Sequence, residues 1–168
     1  MCIRDRVLDE VDYDTPFSTD DDEFVELLNA GTSAIDLAAY QLLLVDGESD
    51  GLAHVHDVLP LSGTLPPGAR HVVANHGTDL PPGTSVTRFG PGALLHNGLA
   101  GVVLFDGADG VVKDALVYGG YFAPFRAEID GERVDLTRFS RPVFDNGSPG
   151  TSLCVLAGWE SCAATPGF

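Results

Sequence analysis

Positive charge is what this sequence has least of. Lys and Arg together number 9 against 25 Asp and Glu, for a formal net charge of −16. Recognition of nucleic acid through its phosphates draws on Lys and Arg, so no nucleic-acid partner is expected from this balance. Long apolar runs are missing too. No stretch reaches the roughly 18 consecutive apolar residues that would span a bilayer. The opening "MCIRDR" has neither the hydrophobic region nor the cleavage signal of a secretory leader. The serines of "NGSPGTS" and "SGTLPPG" lie in no G-x-S-x-G elbow. A glycosidase would need two opposed carboxylates in a cleft, but the single Trp lies far from the acidic segment and supplies no aromatic platform there. These absences point away from an enzyme.

What is abundant is punctuation. The 20 Gly and 11 Pro recur between short apolar runs, a spacing that helices do not tolerate and strands do. Val7 to Tyr13 alternates apolar and acidic residues, the period of a half-buried strand. Glu23 to Asn29 predicts a second strand, with Phe24, Glu26 and Leu28 on one face and Glu23, Val25 and Leu27 on the other. The near-continuous apolar run Tyr40 to Gly47 suits a central strand. "AHVHDVLPL" and Arg70 to Asn75 are expected to pair with each other. Ala100 to Asp106 and Gly110 to Gly120 flank a Gly-Ala-Asp turn, the clearest hairpin signal in the chain. Tyr121 to Ser148 reads as an irregular insertion, and Thr151 to Trp159 as the closing strand. Turns about every ten residues predict a two-sheet sandwich in a single domain over residues 7–168. Residues 1–6 resemble adapter sequence translated at the ends of metagenomic assemblies, so a non-native leader is expected there, which removes Cys2 from consideration.

Four sets of residues invite a functional reading. Ten acidic side chains fall between Asp5 and Glu26. Ca²⁺ needs six to eight converging oxygens, and Glu10, Asp12, Asp20, Asp22 and Glu26 could supply carboxylates if the first two strands are neighbours. Ca²⁺ is the one cofactor that the residues suggest, although no D-x-D-x-D-G loop imposes the geometry. Alternatively Glu26 serves the fold, pairing with an Arg or with loop amides, because a buried carboxylate needs a partner. His54 and His56 share one side of a strand, and His71, expected on the paired strand, would complete a zinc-binding trio. The ordinary edge-strand reading of "HVHD" outweighs it. Cys154 and Cys162, eight positions apart, are spaced for a small-loop disulfide, which would imply an oxidising compartment. Finally, Trp159 with Tyr121, Phe122 and Phe125 could form a recognition patch, since aromatics dominate binding energy; packing under the loop is the other fate open to "YFAPF".

The ordered series "EFVELLN", "IDLAAYQLLLVDG", "LSGTLPPGARHVVAN", "NGLAGVVLFDGADGVVKDALVYGG", "GTSL" and "ATPG" resembles the lamin-tail domain as it occurs in bacterial secreted proteins. The likeness runs from Val7 to Gly167, leaving out Tyr121 to Ser148. It implies an all-β, immunoglobulin-like antiparallel sandwich of about seven to nine strands, non-catalytic, extracellular or at the cell surface, with a protein or glycan partner. Such domains often accompany secreted nucleases or phosphoesterases, so an accessory role beside a metal-dependent hydrolase is the alternative. Family members often continue past "TPG", so the native chain is expected to extend beyond Phe168.

Overall fold

The first strand expected from the sequence is present as β1 (Val7–Asp12), although Leu8, Glu10, Val11 and Asp12 are all buried and the expected half-buried alternation is absent; the structure, a computed structural model, describes residues 7–13, 22–47, 52–89, 95–120, 124–139, 151–155 and 159–163. The chain continues through β2 (Phe24–Leu28), β3 (Ile35–Asp36), β4 (Tyr40–Gly47), β5 (Leu52–Pro60), β6 (Thr64–Leu65) and β7 (Arg70–Ala74). It then forms β8 (Val86–Arg88), β9 (Ala100–Asp106), β10 (Val111–Tyr118), β11 (Arg126–Ile129), β12 (Glu132–Asp135), β13 (Thr151–Val155) and β14 (Trp159–Ala163). Single 3₁₀ turns cover Leu37–Ala39 and Leu136–Arg138, each started by an aspartate, Asp36 or Asp135, whose side chain accepts a backbone N–H two residues on. Among the described residues no helix is long and apolar enough to cross a membrane.

The protein is all-β. One sheet has the order β14-β13-β1-β2-β7-β8, the other β10-β9-β4-β5-β11-β12, and β3 and β6 form a separate two-stranded ribbon. Pairing is antiparallel except for β7 with β8 and β5 with β11. The two sheets share a core. Leu8, Val11, Val25 and Leu27 from one meet Leu42, Leu44, Val102, Leu104 and Leu116 from the other. Among the described residues there are fourteen strands against the seven to nine expected, partly because β3 and β6 are two-residue bridges.

A second core lies behind the second sheet. Alternate residues of the same central strands, Leu43, Val45, Val103 and Phe105, pack there with Ala115, Val117, Phe125, Ala127, Ile129 and Leu136. Strands buried on both faces read as unbroken apolar runs, which is why β4 and β9 show little alternation. The sheet is rolled. Although β10 and β12 sit at opposite ends of its hydrogen-bonded order, the 3₁₀ turn after β12 packs on β10.

Two expectations are corrected here. The segment from Tyr121 to Ser148 is not irregular throughout: β11 and β12 form a hairpin turned by Asp130 and Gly131, with φ of 51° and 78°. Positive φ at both positions is what a tight I′ hairpin requires, and Asp-Gly provides it. Nor do β5 and β7 pair. β7 lies between β2 and β8, because the apolar Leu61 and Leu65 draw the connection into the shared core and carry the chain across to the other sheet.

Candidate functional site

Among the described residues, Asp9 and Glu26 of the acidic segment meet Arg70. The antiparallel register of β1 and β2 sets Glu10 opposite Glu26, both buried. A bulge between Leu8 and Glu10 makes Asp9 the extra residue of β1. Arg70, opening β7, answers both strands: its Nε lies 2.6 Å from Glu26 Oε1, and its terminal nitrogen donates to Asp9 Oδ2 at 2.9 Å. Burial pulls the Arg70 pKa down, but Asp9 and Glu26 outweigh it and the net shift is upward. Glu26 is therefore a structural brace in this geometry, held by a cation that a metal ion would have to displace.

Other carboxylates are also engaged by the frame. Glu23 is fully buried and its Oε2 accepts the Leu95 N–H at 2.9 Å. Burial raises the pKa of the Tyr118 phenol well above the ordinary value, and the charges of Glu23, Tyr13 and Asp46 add to the rise. The Tyr118 ring stacks on Tyr13 at 4.1 Å. Asp114 Oδ2 accepts the Leu8 N–H at 3.0 Å, fastening β10 of one sheet to β1 of the other. Such charge-assisted bonds to backbone N–H groups are how buried acids are made tolerable.

The remaining residues named from sequence are placed as follows. Asp12 is buried opposite Phe24, and Asp22 is half-buried with a shielded Oδ1. Asp20 lies outside the described residues. Among the described residues, no three of Glu10, Asp12, Asp22 and Glu26 bring ligand oxygens together. Cys154 and Cys162 are disulfide-bonded across the β13–β14 hairpin, with Cα atoms 6.0 Å apart. Glu10 lies beside them, but thiols consumed in a disulfide are not ligands. Phe125 is buried in the second core, so it packs the fold and is not an exposed recognition side chain. Tyr121 and Phe122 fall outside the described residues, and Trp159 is described only as a backbone partner of Val155.

The zinc trio proposed from sequence does not assemble. His71 is buried on the other sheet, where its ring nitrogens lie 2.8 Å from Ser85 Oγ and 3.0 Å from Thr87 Oγ1. Burial drives its pKa down to about 4. His56 instead meets two residues that sequence reasoning passed over. The β4–β5 register shifts between Leu44 and Val45, which leaves His56 as the bulged residue and turns it toward Asp46. His96 arrives from the loop before β9. Its Nδ1 is 3.0 Å from Asp46 Oδ1, and His56 Nε2 is 3.4 Å from the same atom. No spacing in the chain announces this cluster, since each member comes from a different segment.

On the outer face of the second sheet, a groove of about 220 Å³ is lined by Leu43, Val55, Val58, Phe105, Glu128 and Asp130. β11 pairs with β5 only over Leu52 to His54, so the rest of β5 forms the groove wall beside a sheet edge. Val58 is 46% exposed there, the most exposed large apolar side chain among the described residues.

No protein-family model matches the chain, and no curated protein matches it either.

Proposed function

We propose that the chain is a non-catalytic interaction module of a secreted or cell-surface bacterial protein, similar in kind to the lamin-tail domain. The observation that carries this reading is the division of labour among side chains. Asp9, Glu23 and Glu26, near the start of the chain, brace the frame through Arg70 and a backbone amide, whereas an apolar groove with an exposed valine remains on the outside. The partner is a protein segment that lies in this groove along β5. Apolar contact with Val55 and Val58 supplies affinity, while Glu128 and Asp130 favour cationic neighbours. The Cys154–Cys162 bridge suits an oxidising compartment.

The test is to screen the purified chain against peptide and glycan arrays and to repeat the screen with Val58→Asp. Specific peptide binding that the substitution abolishes supports the reading. Binding indifferent to position 58, binding to glycans alone, or turnover of phosphodiester or ester substrates by the chain would each overturn it.

A further inference from the structure

We infer that Asp46, His56 and His96 form a binding site for a divalent transition metal of the zinc class. Two imidazole nitrogens and one carboxylate oxygen lie within 4.8 Å of one another, where the end of β4, the middle of β5 and the loop before β9 meet. A tetrahedral ion with bonds of about 2.0–2.1 Å holds its ligand atoms roughly 3.3 Å apart. The two Asp46 contacts, at 3.0 and 3.4 Å, already match that edge.

The directions of these contacts favour a metal over a hydrogen-bonded trio. Asp46 Oδ1 is shielded from solvent, yet neither imidazole meets it with hydrogen-bond geometry despite the short distances. Proximity alone would read as two ion pairs, but the poor alignment leaves a shielded oxygen lone pair unused. An ion seated among the three would satisfy it. The rings of His56 and His96 stand 4.9 Å apart at 38°, which leaves them side by side without a stack that would have to be broken. The nitrogen-rich donor set selects zinc, nickel or copper over calcium and magnesium, which prefer oxygen. Three protein ligands leave a fourth position for water, and the ion would pin the His96 loop to the sheet. This site is separate from the Val58 groove and does not depend on the proposed partner.

Titration calorimetry of the full chain with Zn²⁺ tests the assignment, with Ca²⁺ as the control and melting temperature as a second readout. The expected result is one Zn²⁺ per chain, no comparable Ca²⁺ binding, and a zinc-dependent rise in Tm. His96→Ala is the informative variant, because a side chain 56% exposed can be removed without disturbing the core. It should keep the metal-free Tm, lose the zinc-dependent rise, and weaken affinity at least about 10-fold, the lower end of what losing even an outer-shell partner costs. His56→Ala and Asp46→Asn should weaken affinity likewise. Failure of the unaltered chain to bind zinc, or zinc binding that survives His56→Ala combined with His96→Ala, would overturn the inference.

Discussion

Arg70→Ala removes a cation that serves both Asp9 and Glu26. The Glu26 side chain is 2% exposed, so in the variant its charge stays in the protein with no counter-ion from β7. Breaking a buried pair from one side costs about 3–5 kcal/mol, chiefly the desolvation of the charge left behind. Arg70 itself is 34% exposed, so solvent already screens part of the attraction. A loss of about 2–3 kcal/mol is therefore expected. For a chain of 168 residues this corresponds to a fall in Tm of roughly 4–12 °C. The diagnostic measurement is a double-mutant cycle by urea denaturation. Glu26→Gln removes the charge that Arg70→Ala would deprive of its guanidinium, so the double variant should be more stable than the sum of the single losses implies, by about 1 kcal/mol or more. Arg70→Lys should recover only part of the loss, since an ammonium cannot present the guanidinium's forked donors to two carboxylates. Additivity within about 0.5 kcal/mol would refute the reasoning and make Arg70 a surface residue that happens to lie near acids.

Two further outcomes follow from burial and backbone geometry. Gly119 has φ of 75°, and a Cβ built there would strike the carbonyl of Gly98, lying 2.6 Å from its carbon. Gly119→Ala should destabilise by at least about 2 kcal/mol in urea denaturation, combining left-handed strain with a clash against backbone that cannot swing aside; a near-neutral result would refute the placement of these two segments. His71 titrates near 4 when folded against an ordinary 6.5. The unfolded chain therefore takes up a proton that the folded chain refuses, stability falls as pH drops through about 6.5, and the loss levels off below about 4. The whole effect is at most about 3 kcal/mol. Denaturation midpoints at about pH 7.5 and about pH 4.5 should differ less in His71→Gln than in the unaltered chain, and equal differences would refute the assignment.

Much of the strand order along the chain is legible in the sequence, because the period of two in "VLDEVDY" and "EFVELLN" and the apolar runs of β4 and β9 are local properties. The Asp130-Gly131 turn was equally local, and the hairpin it closes was visible to the same rule that found the turn between β9 and β10. What could not be read was which strand lies beside which. His71 looked like a neighbour of His54 because their segments follow one another, yet the connection crosses to the other sheet.

By itself, the sequence decided that this protein is built of strands, that its acids crowd its first strands, and that Cys154 and Cys162 stand at a bridging distance. Alternation, turn chemistry and spacing act over a few residues, so they survive in one dimension. Only the tertiary structure decided that Arg70 serves Glu26 and Asp9, that β11 and β12 roll the second sheet over a core of its own, and that Asp46, His56 and His96 meet. Those meetings depend on register, on a bulge that turns one side chain, and on which apolar faces close against each other. Contacts between distant segments follow from the packing of the whole molecule.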